Sequence, residues 1–164
     1  MNSITKPMTI LENRQVPVQA KLAAAWTSFM FLYIYVDHLG LYKPGHVDGI
    51  LNGLIWKFDV SATLLTIILV SVSIPALMVV LSMTLPARAN RATNLVVATL
   101  YIPFSVFNAA GATWEWAAFY GLSIGIEVLL LAFILRSAWT WPRAASPSMT
   151  EPAAPHRPQI QMGR

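Results

Sequence analysis

Four apolar runs of about 20 residues each, held apart by short charged or proline-bearing stretches, constrain this chain more than any motif in it. A bilayer core is roughly 30 Å thick, and a helix rising about 1.5 Å per residue crosses it in about 20 residues. The runs extend from Leu22 to Tyr42, Val60 to Leu85, Ala92 to Thr113 and Trp116 to Trp139. In lipid every backbone polar group must be satisfied internally, so runs of this length read as helices. With 56% of its 164 residues hydrophobic and only 11% charged, the chain falls outside the composition of an ordinary soluble domain. The expected fold is all-α: a four-transmembrane-helix bundle with a short amphipathic interfacial helix between the first and second spans. Around this membrane domain, residues 21–141, a disordered cytoplasmic arm (1–20) and a disordered Pro-rich cytoplasmic tail (142–164) are expected.

Basic residues orient the spans. Lys6, Arg14 and Lys21 precede the first run, Arg88 and Arg91 lie between the second and third, and Arg136, Arg143, Arg157 and Arg164 end the chain. The opposite side carries only Lys43 and Lys57. Nine against two predicts a multi-pass protein of the cell inner membrane with both termini cytoplasmic. Trp114 and Trp116 before the fourth run, and Trp139 and Trp141 after it, suit the two headgroup levels. The first 21 residues are polar and no small-residue cleavage site follows, so the first span is expected to be an uncleaved anchor. The net charge of +4 is spread around apolar blocks rather than gathered in a stripe, which argues against nucleic acid as a partner. Zero cysteines exclude thiol redox chemistry and thiolate metal or iron–sulfur sites.

The first loop is more than a connection. In "HVDGILNGLIWKF", Val47, Ile50, Leu51, Leu54, Ile55 and Phe58 recur at helical spacing, which predicts an amphipathic helix lying on the outer surface. A lid over an outward-facing cavity is the second reading, with Gly45, Gly49 and Gly53 allowing movement.

Counting helical rise from the flanking residues sorts the polar groups of the spans by depth. Asp37 lies about 24 Å above Lys21, Asn108 about 25 Å above Arg91, and Tyr120 about 7 Å below Glu115. With His38 beside Asp37, they form an outer polar layer. Glu127, midway between Trp116 and Trp139, falls near the bilayer midplane, and Tyr33, Ser71, Ser73 and Thr99 count to the same level. A carboxylate at that depth costs about 2.5–3.5 kcal/mol on insertion scales, so Glu127 is expected to face the bundle interior, to carry a proton, or both. Pro75 and Pro103 leave the carbonyls of Ser71 and Thr99 without helical donors, and the hydroxyls at those positions are placed to serve the local backbone.

These groups point to binding more than to catalysis. Glu127 reads as a proton- or cation-binding carboxylate, or else as a neutral partner bonded to Ser73 or Tyr33 between helices. His38 and His46 with Asp37 and Asp48 offer metal-type donors, but across "YKPGH" no helical spacing aligns them, and no metal is expected. No axial histidine lies deep enough for haem, and no Ser, His and acid share a depth, so neither a cofactor nor an enzyme activity is expected.

In combination, "WTSFMFLYIYVD" with Tyr33 and Asp37, "IPALMVVLS" with Pro75, "RANRATN" with Arg88 and Arg91, "IE" with Glu127, and "AWTW" ending at Trp141 resemble a family of small, uncharacterised four-span bacterial membrane proteins, distantly DoxX-like. The resemblance covers Lys21 to Trp141 and implies a fold and a membrane location without a reaction. Relatives often carry a Glu just before the Ile-Pro of the second span, where this chain has Ser73. The leading expectation is a membrane protein that holds a small ligand or a proton between its helices, transport-related, with Glu127 central. The alternatives are a structural or assembly partner, in which Arg88 and Arg91 meet lipid headgroups or a cytosolic protein, and an accessory protein of a membrane oxidoreductase. Lipid is the expected partner throughout, and a homo-oligomer is compatible with each reading.

Overall fold

The computed structural model describes residues 15–108 and 113–142. Most of the expected arm, nearly all of the expected tail and the end of the third apolar run lie outside the described residues. Five α-helices are found among the described residues: α1 (Val18–Gly40), α2 (His46–Leu51), α3 (Ala62–Thr84), α4 (Ala87–Phe107) and α5 (Ala117–Trp139). A 3₁₀ turn, Trp114–Trp116, leads into α5, and two short strands, β1 (Leu54–Ile55) and β2 (Phe58–Asp59), separate α2 from α3.

Local chemistry explains the boundaries. The Ser61 hydroxyl accepts a hydrogen bond from the Leu64 amide (3.1 Å) and caps α3. Leu85 precedes a proline and is held extended, so α3 stops at Thr84, and Pro86 then leads straight into α4. Helix α4 therefore starts five residues ahead of its apolar run, and its first turns carry Arg88, Asn90, Arg91 and Asn94. The first loop departs from the expected long amphipathic helix. It is helical only over His46–Leu51, because Gly53 takes a left-handed φ of 77° and the chain turns into an antiparallel pair matching Leu54 with Asp59 and Ile55 with Phe58. The pair turns at Trp56–Lys57, where Trp56 holds φ at 58°, a conformation that normally favours glycine.

Helix α1 packs against α3 and α5, α5 also packs against α4, and α3 touches α4 more lightly. Asn90 bonds to Ser82 and Tyr101 to Ser71, so α3 and α4 run in opposite directions. Trp26 pairs with Asn94 and Tyr33 with Asn108, so α1 and α4 run the same way. The buried faces have helical spacing: Asn90, Asn94, Ala98, Tyr101 and Ser105 on α4, and Ser123, Glu127, Leu131, Ile134 and Ala138 on α5.

One end of this body is dry and dense. Leu22, Trp26, Phe29, Met78, Ala98, Leu131, Ile134 and Ala138 form its core. Trp26 meets Phe29 and Tyr101 edge-on, with centroids 5.8 and 6.2 Å apart. Inside this apolar packing runs a polar chain. Trp26 Nε1 donates to Asn94 Oδ1 (2.7 Å), Asn94 Nδ2 to Asn90 Oδ1 (2.7 Å), and Asn90 Nδ2 to the Ser82 carbonyl (2.6 Å). The chain links α1, α4 and α3, and its members are fully buried.

Helices Ala62–Thr84 and Trp114–Trp139 are long and apolar enough to cross a membrane. Only 11% of the apolar stretch of the first and 22% of that of the second is buried, so their side chains face mostly outward. Large apolar residues are exposed on α1 and α4 as well, among them Phe31, Ile34, Val96 and Leu100.

Candidate functional site: a polar cavity above Glu127

At the end opposite the dry core the helices part around a cavity of about 500 Å³. Helix α1 lines it with Tyr33, Val36, Asp37 and Gly40, α5 with Tyr120, Ser123, Ile124 and Glu127, α3 with Ile68, and the end of α4 with Phe107 and Asn108. Lys43, His46, Ile50, Ile55 and Trp56 from the first loop complete its wall.

Glu127 forms the floor. Its position follows from the α5 periodicity, which sets Tyr120, Ser123 and Glu127 on one face and continues into Leu131 in the core. The residue is 3% exposed, and Oε2 has no hydrogen-bond partner. From α4 the fully buried Ser105 hydroxyl stands beside it, a neutral donor set against the carboxyl. One neutral hydroxyl is slight support for a carboxyl buried this far, since a buried polar group left unsatisfied costs about 1–3 kcal/mol, and such a site calls for an explanation.

Asn108 Nδ2 donates to Tyr33 Oη at 3.3 Å higher in the cavity. Tyr33 stacks between Phe29 and Phe104, which fixes the phenol at the level where the core ends and the cavity begins. Lys43 Nζ donates to Tyr120 Oη at 2.8 Å and lies 4.8 Å from the Tyr120 ring centroid and 5.2 Å from that of Trp116. This contact fastens the first loop to the start of α5. His46, the first residue of α2, lines the same cavity as Asp37.

Of the residues assigned by counting, Tyr33, Asp37, Asn108, Tyr120 and Glu127 line this one cavity, so it spans both depth layers. His38 does not: its ring packs edge-on against Tyr42, 5.9 Å between centroids, outside the wall. Nor do Ser71, Ser73 and Thr99, whose hydroxyls bond back to the carbonyls of Ile68, Leu69 and Leu95 in their own helices. Such back-bonding satisfies a hydroxyl in an apolar setting without an interhelical partner. Among the described residues, no three His, Asp or Glu side chains come together as metal ligands.

The sequence offers the loop that carries His46 and Trp56 as a lid over an outward-facing cavity only as its second reading, and it does not single out Lys43, Ser105 or Ser123 as site residues. Ser123 was within reach, since it sits one turn from Glu127 on the Tyr120 face. Lys43 was not, because its 77-residue separation from Tyr120 carries no local signal.

Arg88 and Arg91 lie at the other end. With Trp139 and Trp141 they line a groove, and the Arg91 guanidinium is 5.7 Å from the Trp139 ring centroid. No curated protein and no solved structure matches this chain. Residues 8–145 match a family described as a family of unknown function (DUF6326), and the chain belongs to that family.

Proposed function

We infer that this is a multi-pass membrane protein whose four long helices all cross the bilayer, and that it holds a small ligand or a proton in the cavity above Glu127. The observation that carries the reading is a cavity of ligand size ending on a buried carboxylate with an unpartnered oxygen. The outward-facing apolar surface of all four helices supports the membrane setting, because a soluble protein rarely leaves so much apolar surface uncovered. The bias of basic residues supports cytoplasmic termini, with the cavity opening on the other side. On that topology Arg88, Arg91, Trp139 and Trp141 meet the inner headgroups, where guanidinium and indole groups are both favoured. A ligand site that opens to one side and ends near mid-bilayer suits a transport-related binding role better than catalysis.

A ligand thermal-shift screen on the purified protein, repeated on Glu127→Gln, tests for a ligand and its site together. Ligands that stabilise the wild type are expected to lose their effect on the variant. Access to the cavity is measured separately. The chain has no cysteine, so Ser123→Cys provides a single thiol on the wall. A water-soluble, membrane-impermeant thiol reagent is expected to label it from outside the cell, and Ser82→Cys, in the dry core, is expected to stay unlabelled. Equal protection of both would refute a water-filled cavity and favour a scaffold without a ligand.

A further inference from the structure

The floor of the cavity carries an acid and no base, and that placement identifies a class of ligand. The cavity's two carboxylates are Asp37 on α1 and Glu127 at the floor. Its two basic side chains, Lys43 and His46, both come from the first loop at the mouth. Lys43 is already engaged by the Tyr120 hydroxyl and the rings of Tyr120 and Trp116. Tyr120 and Glu127 are seven residues apart on α5, which is about 10 Å along the helix, so the Lys43 ammonium stays well above the floor. Glu127 thus lines the floor as a carboxyl that is 3% exposed, with the neutral Ser105 hydroxyl beside it and both basic side chains of the cavity up at the mouth.

Among mostly aliphatic walls the cavity carries four aromatic side chains, Tyr33, Phe107, Tyr120 and Trp56. Aromatic faces attract cations, and the mouth already holds one in this way, the chain's own Lys43 ammonium. An anion that passed Lys43 and His46 at the mouth would still meet the Glu127 carboxyl at the floor with no basic side chain beside it. A neutral molecule would leave the floor acceptor unmatched unless it brought a donor of its own.

We propose that the cavity binds a small organic cation, a primary or secondary ammonium on an apolar or aromatic body, with an ammonium N–H donated to Glu127 and the body against Tyr33 and Phe107. A quaternary ammonium lacks the N–H that Oε2 requires and is the poorer ligand. This inference rests on the reading of the cavity as a ligand site, and it adds the sign and hydrogen-bonding character of the ligand.

The test is calorimetric titration of the full-length protein in detergent with three probes of similar shape: phenethylamine, 2-phenylethanol and 3-phenylpropanoate. Phenethylamine is expected to bind at least about tenfold more tightly than the alcohol, and the carboxylate not to bind. In Glu127→Gln the amine is expected to weaken by about thirtyfold or more, as for one partner lost from a buried charge pair, while the alcohol changes little. Equal binding of amine and alcohol, preferential binding of the carboxylate, or an unchanged amine affinity in Glu127→Gln would each overturn the proposal. Failure of all three probes overturns it too. In that case labelling at Ser123→Cys tells which idea has failed: a labelled thiol leaves the open cavity standing without a cationic ligand, and a protected one removes the cavity as well. The comparison among probes needs no variant, so it holds even where Glu127→Gln does not fold.

Discussion

The phenol of Tyr101 on α4 donates a hydrogen bond to the backbone carbonyl of Ser71 on α3. That carbonyl is the one Pro75, four residues on, deprives of its helical donor. A carbonyl freed by a proline in one helix is thus satisfied by a side chain of another, while the Ser71 hydroxyl serves the local backbone, as expected, by donating to the Ile68 carbonyl. Tyr101→Phe keeps the ring contacts with Trp26, Phe29 and Phe104 and removes only the donor. It is expected to destabilise the protein by about 1 kcal/mol, between the roughly 0.6 kcal/mol average of interhelical bonds in membranes and the cost of an orphaned buried carbonyl. Thermal unfolding in detergent measures this, and an unchanged midpoint would mean that water reaches Ser71.

A larger loss is expected from Asn94→Leu. The substitution removes the acceptor of the Trp26 indole N–H and the donor to Asn90 Oδ1, both in a dry core. At about 1–3 kcal/mol for each orphaned group, the total should exceed that of Tyr101→Phe. Because Trp26 and Asn94 share one bond, the double variant Trp26→Phe, Asn94→Leu should be less destabilised than the sum of the singles. Strict additivity would show that the indole N–H contributes nothing.

Lys43→Met tests the fastening of the first loop. An amine–phenol bond and two ring contacts in a partly buried place contribute under about 1 kcal/mol to global stability. Local opening should respond more, so amide hydrogen exchange across His46–Leu51 is expected to quicken several-fold while the unfolding midpoint holds. Unaltered exchange there would mean that the loop is held by its apolar contacts alone.

At Trp56 two effects of similar size oppose each other. A left-handed φ of 58° costs a residue with Cβ about 1–2 kcal/mol, and glycine relieves it while adding about 0.5–1 kcal/mol of unfolded-chain entropy. Trp56→Gly should therefore shift the unfolding midpoint little, yet it strips an aromatic wall from the cavity. Any ligand found in the thermal-shift screen is expected to bind this variant more weakly. Full affinity would place Trp56 outside the binding surface, as a hairpin residue only.

That Glu127 lies midway along its helix was legible, because aromatic residues bracket α5 at both ends and the level of a residue along a helix is a matter of counting. Serine and threonine at the same depth were misleading, since a hydroxyl can satisfy itself on its own helix and counting says nothing about which way it turns. In the sequence the stretch "RANRATN" draws notice through its arginines, as a surface for lipid headgroups or a cytosolic protein. Its two asparagines, four residues apart on one face, instead carry the buried chain from Trp26 to Ser82.

By itself the sequence determined the helical character of the chain, the long helices and their breaks, because hydropathy, proline and glycine act over a few residues. It also bounded the level of each polar group along its helix, which follows from a constant rise per residue. Only the tertiary structure decided which polar groups meet. It brings Tyr33, Asp37 and Asn108 into one cavity with Tyr120 and Glu127, closes that cavity with Lys43 and His46 from the loop, and seals the opposite end around Trp26 and Asn94. Those contacts depend on the rotation of each helix about its axis and on which neighbours it packs against, and both are set by long-range packing that no local pattern encodes.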